Sequence, residues 1–262
     1  MEIGSRSMPR DVERQDVPWY RAAFGPAYLT VYRDRDEADA RHLRLLLDTL
    51  HCSCRGMRVL DIGCGHGRHL RVVEEAGAEA YGIDLSLALL GEARRRRPEA
   101  SVVVADMRTL PLRAGVFDLA LSLFTSFGYF DTDRENAQVL DEARRVLKPG
   151  GRLVLDTLNA VWLRGSLVAE TRRRVGSAEV LERRWIDEVR NRINKHVEIT
   201  PGEHGAVDRW SESVRLWTAD ELAALLEGAG FKVERLAGGF GGEAFRPQDS
   251  ERIILVGGRG EG

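Results

Sequence analysis

Chemistry is most legible in this chain at Val59-Leu60-Asp61-Ile62-Gly63-Cys64-Gly65-His66-Gly67-Arg68, where an apolar run meets an acid and passes into three alternating glycines. Glycines so spaced let the backbone approach a ligand where a Cβ would collide, and the free N–H groups of a following helix point at it. The spacing differs from the G-x-G-x-x-G of dinucleotide loops, which hold a pyrophosphate. Asp61 stands two residues ahead of the first glycine, where a carboxylate repels phosphate. It suits a ligand with a cationic end, such as the α-ammonium of an amino acid. Cys64 offers this loop a small side chain and a backbone amide and is not read as a nucleophile.

Further acids follow in order. Ala80-Tyr81-Gly82-Ile83-Asp84-Leu85-Ser86 reads as a short strand ending in Asp84, about twenty residues on, where a ribose-binding carboxylate belongs in a β-α-β unit. Ser101-Val102-Val103-Val104-Ala105-Asp106-Met107 is a third β-branched run ending in an acid, followed by Gly115 to Phe124 and by Leu147-Lys148-Pro149-Gly150-Gly151-Arg152-Leu153. Together these segments resemble the class I S-adenosylmethionine-dependent methyltransferases, whose first motif has the form hydrophobic-x-Asp-x-Gly-x-Gly-x-Gly. The match runs closely over residues 57–158 and more loosely from Thr218. The resemblance implies S-adenosyl-L-methionine as cofactor, held by Asp61, Gly63, Cys64, Gly65, Gly67, Asp84, Leu85, Asp106, Met107 and Leu123. Asp84 would take the ribose hydroxyls, and Asp106 with Met107 would meet the adenine amino group and ring. Asp118 is read as ordering the turn before the fourth strand and is left out of the site.

The elements that must position these groups alternate: strand 57–61, helix 67–76, strand 79–83, helix 86–96, strands 101–105 and 116–122, helix 132–147, strand 151–157. Such alternation argues for a parallel sheet with right-handed crossovers. A helix from Thr218 to Gly228 carries the capping-box pattern at its start, and strands 231–236 and 252–256 follow. The fold class expected is α/β, a Rossmann-like seven-stranded methyltransferase sheet in the order 3-2-1-4-5-7-6 that the resemblance implies. Residues 51–158 and 218–262 would be the cofactor-binding core. Residues 159–217 exceed what that core needs and read as a small antiparallel β insertion of three strands, 180–189, 192–199 and 207–216, with a turn over 200–205. Ligands of open α/β sheets bind beyond the carboxyl ends of the strands, so this flap is expected to roof the cleft on the substrate side. Residues 1–16 read as a disordered tail and 17–50 as a helical lid, aromatic and proline-broken to Tyr32 and then helical from 36 to 50.

A methyl acceptor must lie in line with the cofactor's reactive carbon, so positioning supplies much of the rate. Tyr20, Tyr28, Phe124, Phe127 and Tyr129 are the substrate or lid residues expected to wall that end. His66, His69, His196 and His204 are available as bases, but none is singled out, and the catalytic residue stays unassigned. Family members that methylate nucleobase or glutamine amino groups carry an Asn/Asp-Pro-Pro-Tyr/Phe run after the fourth strand; Ser122-Leu123-Phe124-Thr125 stands there instead. With that departure and a net charge of −2, a small-molecule acceptor is expected and nucleic acid is disfavoured. A tRNA or protein acceptor, or S-adenosylmethionine binding without transfer, stay open as alternatives. The basic run Arg94 to Arg97 is read as a solvated helix end, and Arg172 to Arg174 falls in the insertion. Three cysteines, Cys52, Cys54 and Cys64, make neither a disulfide framework nor a four-ligand zinc pattern, so no metal is expected. The polar first residues and the lack of a long apolar run point to a cytoplasmic protein, monomer or homodimer.

Overall fold

The structure, a computed structural model, describes residues 17–32, 36–202 and 206–261. Its core is a seven-stranded sheet built from β1 (Arg58–Ile62), β2 (Glu79–Asp84), β3 (Ser101–Val104), β4 (Phe117–Ser122), β5 (Leu147–Leu158), β10 (Phe231–Ala237) and β11 (Arg252–Arg259). The spatial order β3-β2-β1-β4-β5-β11-β10 is the one expected. β1 to β5 pair in parallel, and β11 runs antiparallel between β5 and β10. The central strands are apolar on both faces, as a sheet covered by helices on both sides requires: Val59, Leu60, Ala120, Leu121, Val154 and Leu155 are all buried.

Helices α3 (Asp36–Thr49), α4 (Arg68–Glu75), α5 (Leu87–Arg96), α6 (Asp133–Val146) and α8 (Ala219–Gly228) cover it. Both α6 and α8 start in a full capping box, Thr132 with Glu135 and Thr218 with Glu221, so their first turns are fixed by local sequence. Leu43, Leu46 and Leu47 of α3 are buried with β1 and α4 residues, which makes α3 part of the core; the lid expected over 17–50 cannot extend into it. Asp118 is also corrected. It lies within β4, where it accepts from the Arg58 N–H at 2.8 Å and from Lys148 Nζ at 2.6 Å.

The stretch before α3 forms two short helices, α1 (Trp19–Ala22) and α2 (Pro26–Tyr32), as its prolines dictate. The insertion holds helix α7 (Ala160–Ser166), capped by the Asn159 side chain, and a four-stranded antiparallel sheet β6 (Glu170–Val175), β7 (Ala178–Asp187), β8 (Arg192–Thr200) and β9 (Asp208–Arg215). Three strands were expected. The fourth, β6, is Glu-Thr-Arg-Arg-Arg-Val, a charged edge strand with no buried residue. Ala23, Val31 and Tyr32 are buried against Val180, Val197, Ile199 and Trp210 of this sheet, so the aromatic segment forms a core with the insertion. The tail expected over 1–16, and His204 with part of the expected turn, lie outside the described residues.

Candidate active site

The glycine loop joins β1 to α4 at the carboxyl edge of the sheet. Gly63, Gly65 and Gly67 have φ of 79°, 56° and 79°, backbone that favours glycine. At Gly63 a Cβ would also stand 2.9 Å from the Ser126 Cβ, closer than side chains approach. The loop is sewn to β2: Gly63 N and Cys64 N both donate to the Ile83 carbonyl at 2.9 Å, and Gly65 N donates to Asp84 Oδ2 at 2.8 Å. The other Asp84 oxygen accepts from Ser86 N at 2.8 Å. Burial pushes the Asp84 carboxyl above the ordinary carboxylate range despite these N–H groups.

A cleft opens above the loop. Its walls are Cys64 and Gly65 below, Asp84 and Leu85 at the end of β2, Asp106 and Met107 after β3, and Leu123 and Phe124 after β4. At Asp106, burial favours the neutral acid, but the Arg108 guanidinium, bonded to Oδ2 at 2.7 Å, holds the carboxyl below its usual range. The aromatic segment closes the cleft from above with Tyr20, Phe24 and Tyr28. Ser86 Oγ donates to the Phe24 carbonyl at 2.6 Å, and the Phe24 ring stacks on Tyr129 at 5.7 Å.

Beyond this wall lies a second cavity, under the four-stranded sheet and beside α7. Phe24, Tyr28, Arg68, Phe124 and Tyr129 line both spaces. The second is polar and nearly balanced in charge. Arg68 pairs with Asp39 at 2.8 Å, Lys195 with Glu212 at 2.7 Å, and Arg184 with the buried Glu182, which also accepts from Tyr32 Oη at 2.8 Å. Trp162, Leu163 and Ile193 supply its apolar patches.

A family model described as "Methyltransferase domain" matches residues 60–155. The chain is 30% identical to the dTDP-3-amino-3,4,6-trideoxy-alpha-D-glucopyranose N,N-dimethyltransferase of Streptomyces venezuelae, over 69% of this chain and 78% of that one. It belongs to the class I S-adenosylmethionine-dependent methyltransferases. The malonyl-[acyl-carrier protein] O-methyltransferase of Enterobacter lignolyticus is 37% identical over 149 residues, and there the chain spans only 56% of the relative's length. The crystal structure of the sugar N-methyltransferase KedS8 from Streptoalloteichus superposes with a TM-score of 0.69 at 26% identity, covering 100% of this chain and 99% of that one.

The cofactor of these methyltransferases is S-adenosylmethionine, and the cleft has the donor set for it: a glycine cradle that admits no Cβ at Gly63, and carboxylates at the ends of β2 and β3. Of the residues expected there, Gly63, Cys64, Gly65, Asp84, Leu85, Asp106, Met107, Leu123, Tyr20, Tyr28, Phe124 and Tyr129 all reach the cleft. Asp61, Gly67 and Phe127 do not. Asp61 is 2% exposed, and its Oδ2 meets His69 Nδ1 at 3.1 Å, so that oxygen is turned toward α4. Gly67 begins α4 behind the cleft, against Leu70 and Ala93. Phe127 is fully buried against Trp217.

His69, named from the sequence only as one of several available bases, joins Asp156, Arg252 and Arg192, which the sequence did not single out. His69 lines the cleft with its ring set by Asp61 and stacked on Phe124 at 5.0 Å. Asp156, buried in β5, accepts from Arg252 Nη2 at 2.9 Å and from Phe124 N at 2.6 Å. That grip holds Phe124 and Thr125 at φ of 54° and 66°, left-handed backbone that non-glycine residues rarely adopt, with the Phe124 ring on the shared wall. Arg192, 5% exposed, binds the carbonyls of Gly128, Tyr129 and Phe130. An acid within the apolar run Leu153-Val154-Leu155-Asp156 was the one available signal; the partners depend on strand register.

Proposed function

We propose that this protein transfers the methyl group of S-adenosylmethionine to a nucleophilic nitrogen or oxygen of a small polar acceptor, of the amino-sugar type. The bound cofactor supplies an electrophilic methyl carbon on a sulfonium. In this reading Asp84 takes the ribose hydroxyls, Gly63 and Gly65 carry the amino-acid end on bare backbone, and Asp106 with Met107 receives the adenine. Leu85, Leu123 and Cys64 complete the apolar walls.

The observation that carries the proposal is the wall shared by the two cavities. Phe24, Tyr28, Phe124 and Tyr129 border both, so an acceptor in the second cavity would meet the cofactor's reactive end across an aromatic wall. Aromatic faces also favour a sulfonium over water at that point. Burial pushes the Tyr129 phenol up, so it stays protonated and serves as a hydrogen-bond donor, not as a base.

The second cavity's lining supports this acceptor class. Paired charges such as Lys195–Glu212 and Arg184–Glu182, interleaved with Tyr28, Tyr32 and Trp162, suit a compact molecule rich in hydroxyl and amino groups and do not suit a long lipid tail. The Streptomyces venezuelae relative and the KedS8 neighbour, named for amino-sugar and sugar N-methylation, support the same class. Here the four-stranded insertion and α1–α2 form the substrate-side flap and lid.

Turnover on amino-bearing sugars and sugar nucleotides, followed as S-adenosylhomocysteine release, tests the assignment. Trp162→Ala, at a residue that lines the second cavity and not the first, should raise the acceptor KM about tenfold, as loss of an aromatic contact of about 1–1.5 kcal/mol would do. Affinity for S-adenosylhomocysteine should not change. An unchanged acceptor KM would place the acceptor elsewhere.

A further inference from the structure

At the end of the sheet opposite the cleft, the loop between α3 and β1 holds two thiols and a thioether in contact. Cys52 Sγ lies 3.3 Å from Cys54 Sγ and 3.7 Å from Met57 Sδ. On an extended strand two residues so spaced share a side but stand roughly 6.6 Å apart, at about 3.3 Å per residue. Here the chain is bent to bring them together. His51 and Cys54 take φ of 50° and 53°, left-handed values unusual for residues other than glycine. The bend is fixed by Cys52 N donating to the Leu47 carbonyl at 2.9 Å, Met57 N to that of Cys54 at 3.0 Å and Gly56 N to that of Gly77 at 2.9 Å.

The two thiols differ in access. Cys52 is half-buried and open to small reagents; Cys54 is 0% exposed and packs with the α3 and β1 core. They also differ in acidity. The Cys54 S–H donating to its neighbour, helped by the nearby Arg152, draws the Cys52 thiol down to about 6 against the effect of burial. Cys54 itself is pushed up by that same bond and by burial. A half-buried thiol in contact with a fully buried one, the first drawn toward its thiolate and the second away from it, is the arrangement of an attacking and a resolving thiol.

We propose that Cys52 and Cys54 form a vicinal dithiol site that reacts with low-molecular-weight disulfides and closes into a Cys52–Cys54 bridge. The Cys52 thiolate attacks one sulfur of a disulfide RSSR, forming a mixed disulfide and expelling RS⁻, which takes up a proton from water. Cys54 then no longer has a thiolate to donate to; it loses its proton to water and attacks the Cys52 sulfur, and the second RS⁻ leaves and is protonated. Two protein thiols are oxidised and one RSSR is reduced to two RSH. Cys64, buried at the glycine loop with its thiol pushed up by burial, takes no part. The site is independent of methyl transfer.

The test is incubation of the full chain with glutathione disulfide at pH 7, followed by acid quench, alkylation of free thiols and peptide mass mapping. The wild type should lose two hydrogen atoms from the peptide holding Cys52 and Cys54, keep no glutathione, and show Cys64 alkylated. Cys54→Ser should stall with glutathione on Cys52, and Cys52→Ser should stay unmodified at Cys54. If Cys54→Ser fails to fold, titration of the wild type with phenylarsine oxide replaces it: one equivalent should bind, and prior oxidation should block it. A lasting glutathione adduct on wild-type Cys52, first modification at Cys64, or no reaction at either thiol would overturn the proposal.

Discussion

Arg192 Nη1 donates to the Phe130 carbonyl at 2.7 Å, and its Nη2 reaches the carbonyls of Tyr129 at 3.0 Å and Ser213 at 2.6 Å, so one buried guanidinium ties the insertion sheet to the loop after β4. That loop carries Tyr129 on the wall between the two cavities. Arg192→Met would leave several buried carbonyls without a donor, costing about 1–3 kcal/mol and lowering Tm by about 2–4 °C for each kcal/mol at this chain length. Acceptor KM should rise with it, while calorimetric affinity for S-adenosylhomocysteine should stay near wild type. Weakened cofactor binding with intact acceptor kinetics would be the wrong pattern.

In the proposed reading, Asp84 is the group that takes the ribose hydroxyls of the cofactor. Asp84→Ala should weaken S-adenosylhomocysteine by about 1–3 kcal/mol, or roughly 5- to 150-fold in Kd. Because burial raises the carboxyl, the free protein takes up a proton at a higher pH than an ordinary aspartate does, and the protonated acid is a poorer acceptor for ribose hydroxyls. Affinity should therefore fall on acidification, starting at a higher pH than an ordinary aspartate would set. In Asp84→Asn this group's share of the pH dependence should be gone, which isothermal titration at several pH values would read.

The order of the central sheet was legible because its strands are apolar runs, three of which, β1, β2 and β3, lead into an acid or glycine at the carboxyl end, while Ser86 and Thr132 mark the starts of α5 and α6. Asp84, Asp106 and Gly63 sit at such ends and reach the cleft as expected. Asp61 shows where that reasoning stops. Its position in the motif suggested a ligand contact, but whether a strand-end carboxylate turns to the cleft or to a helix depends on what the helix offers, and α4 offers His69 at 3.1 Å. Phe127 failed for the same reason: nothing local distinguishes a ring facing Trp217 from one facing the cofactor. The Asp156–Arg252 and Arg192–Phe130 contacts join residues 96 and 62 positions apart and follow from β5–β11 register and sheet placement, which no local pattern encodes.

Asp36 links α3 to the glycine loop through His66 Nε2 at 2.8 Å and also meets Arg96 Nη1 at 2.8 Å. Burial opposes ionisation there, but the bonds to His66 and Arg96 prevail and draw the carboxyl from 3.8 to about 2. A depressed carboxyl contributes stability that is fully present above its unfolded value and is lost as pH falls through the folded one. Asp36→Asn should thus cost about 2 kcal/mol at neutral pH, with the gap to wild type closing between about pH 4 and pH 2. Urea unfolding of both proteins at pH 7 and pH 3 measures this, and a difference that does not shrink at the lower pH would remove Asp36 from the account.

Methyl transfer to a small polar acceptor at the aromatic wall is tested most directly with S-adenosylmethionine labelled in its methyl group. The protein is incubated with the label and a metabolite extract, together with bulk tRNA and protein from the same cells, and the fractions are separated by size before mass spectrometry. The expected result is label in a small amino- or hydroxyl-bearing molecule, with equimolar S-adenosylhomocysteine and no label above background when Asp84→Ala is used at low cofactor concentration. Label in the tRNA or protein fraction, or tight cofactor binding with no label transferred anywhere, would contradict it.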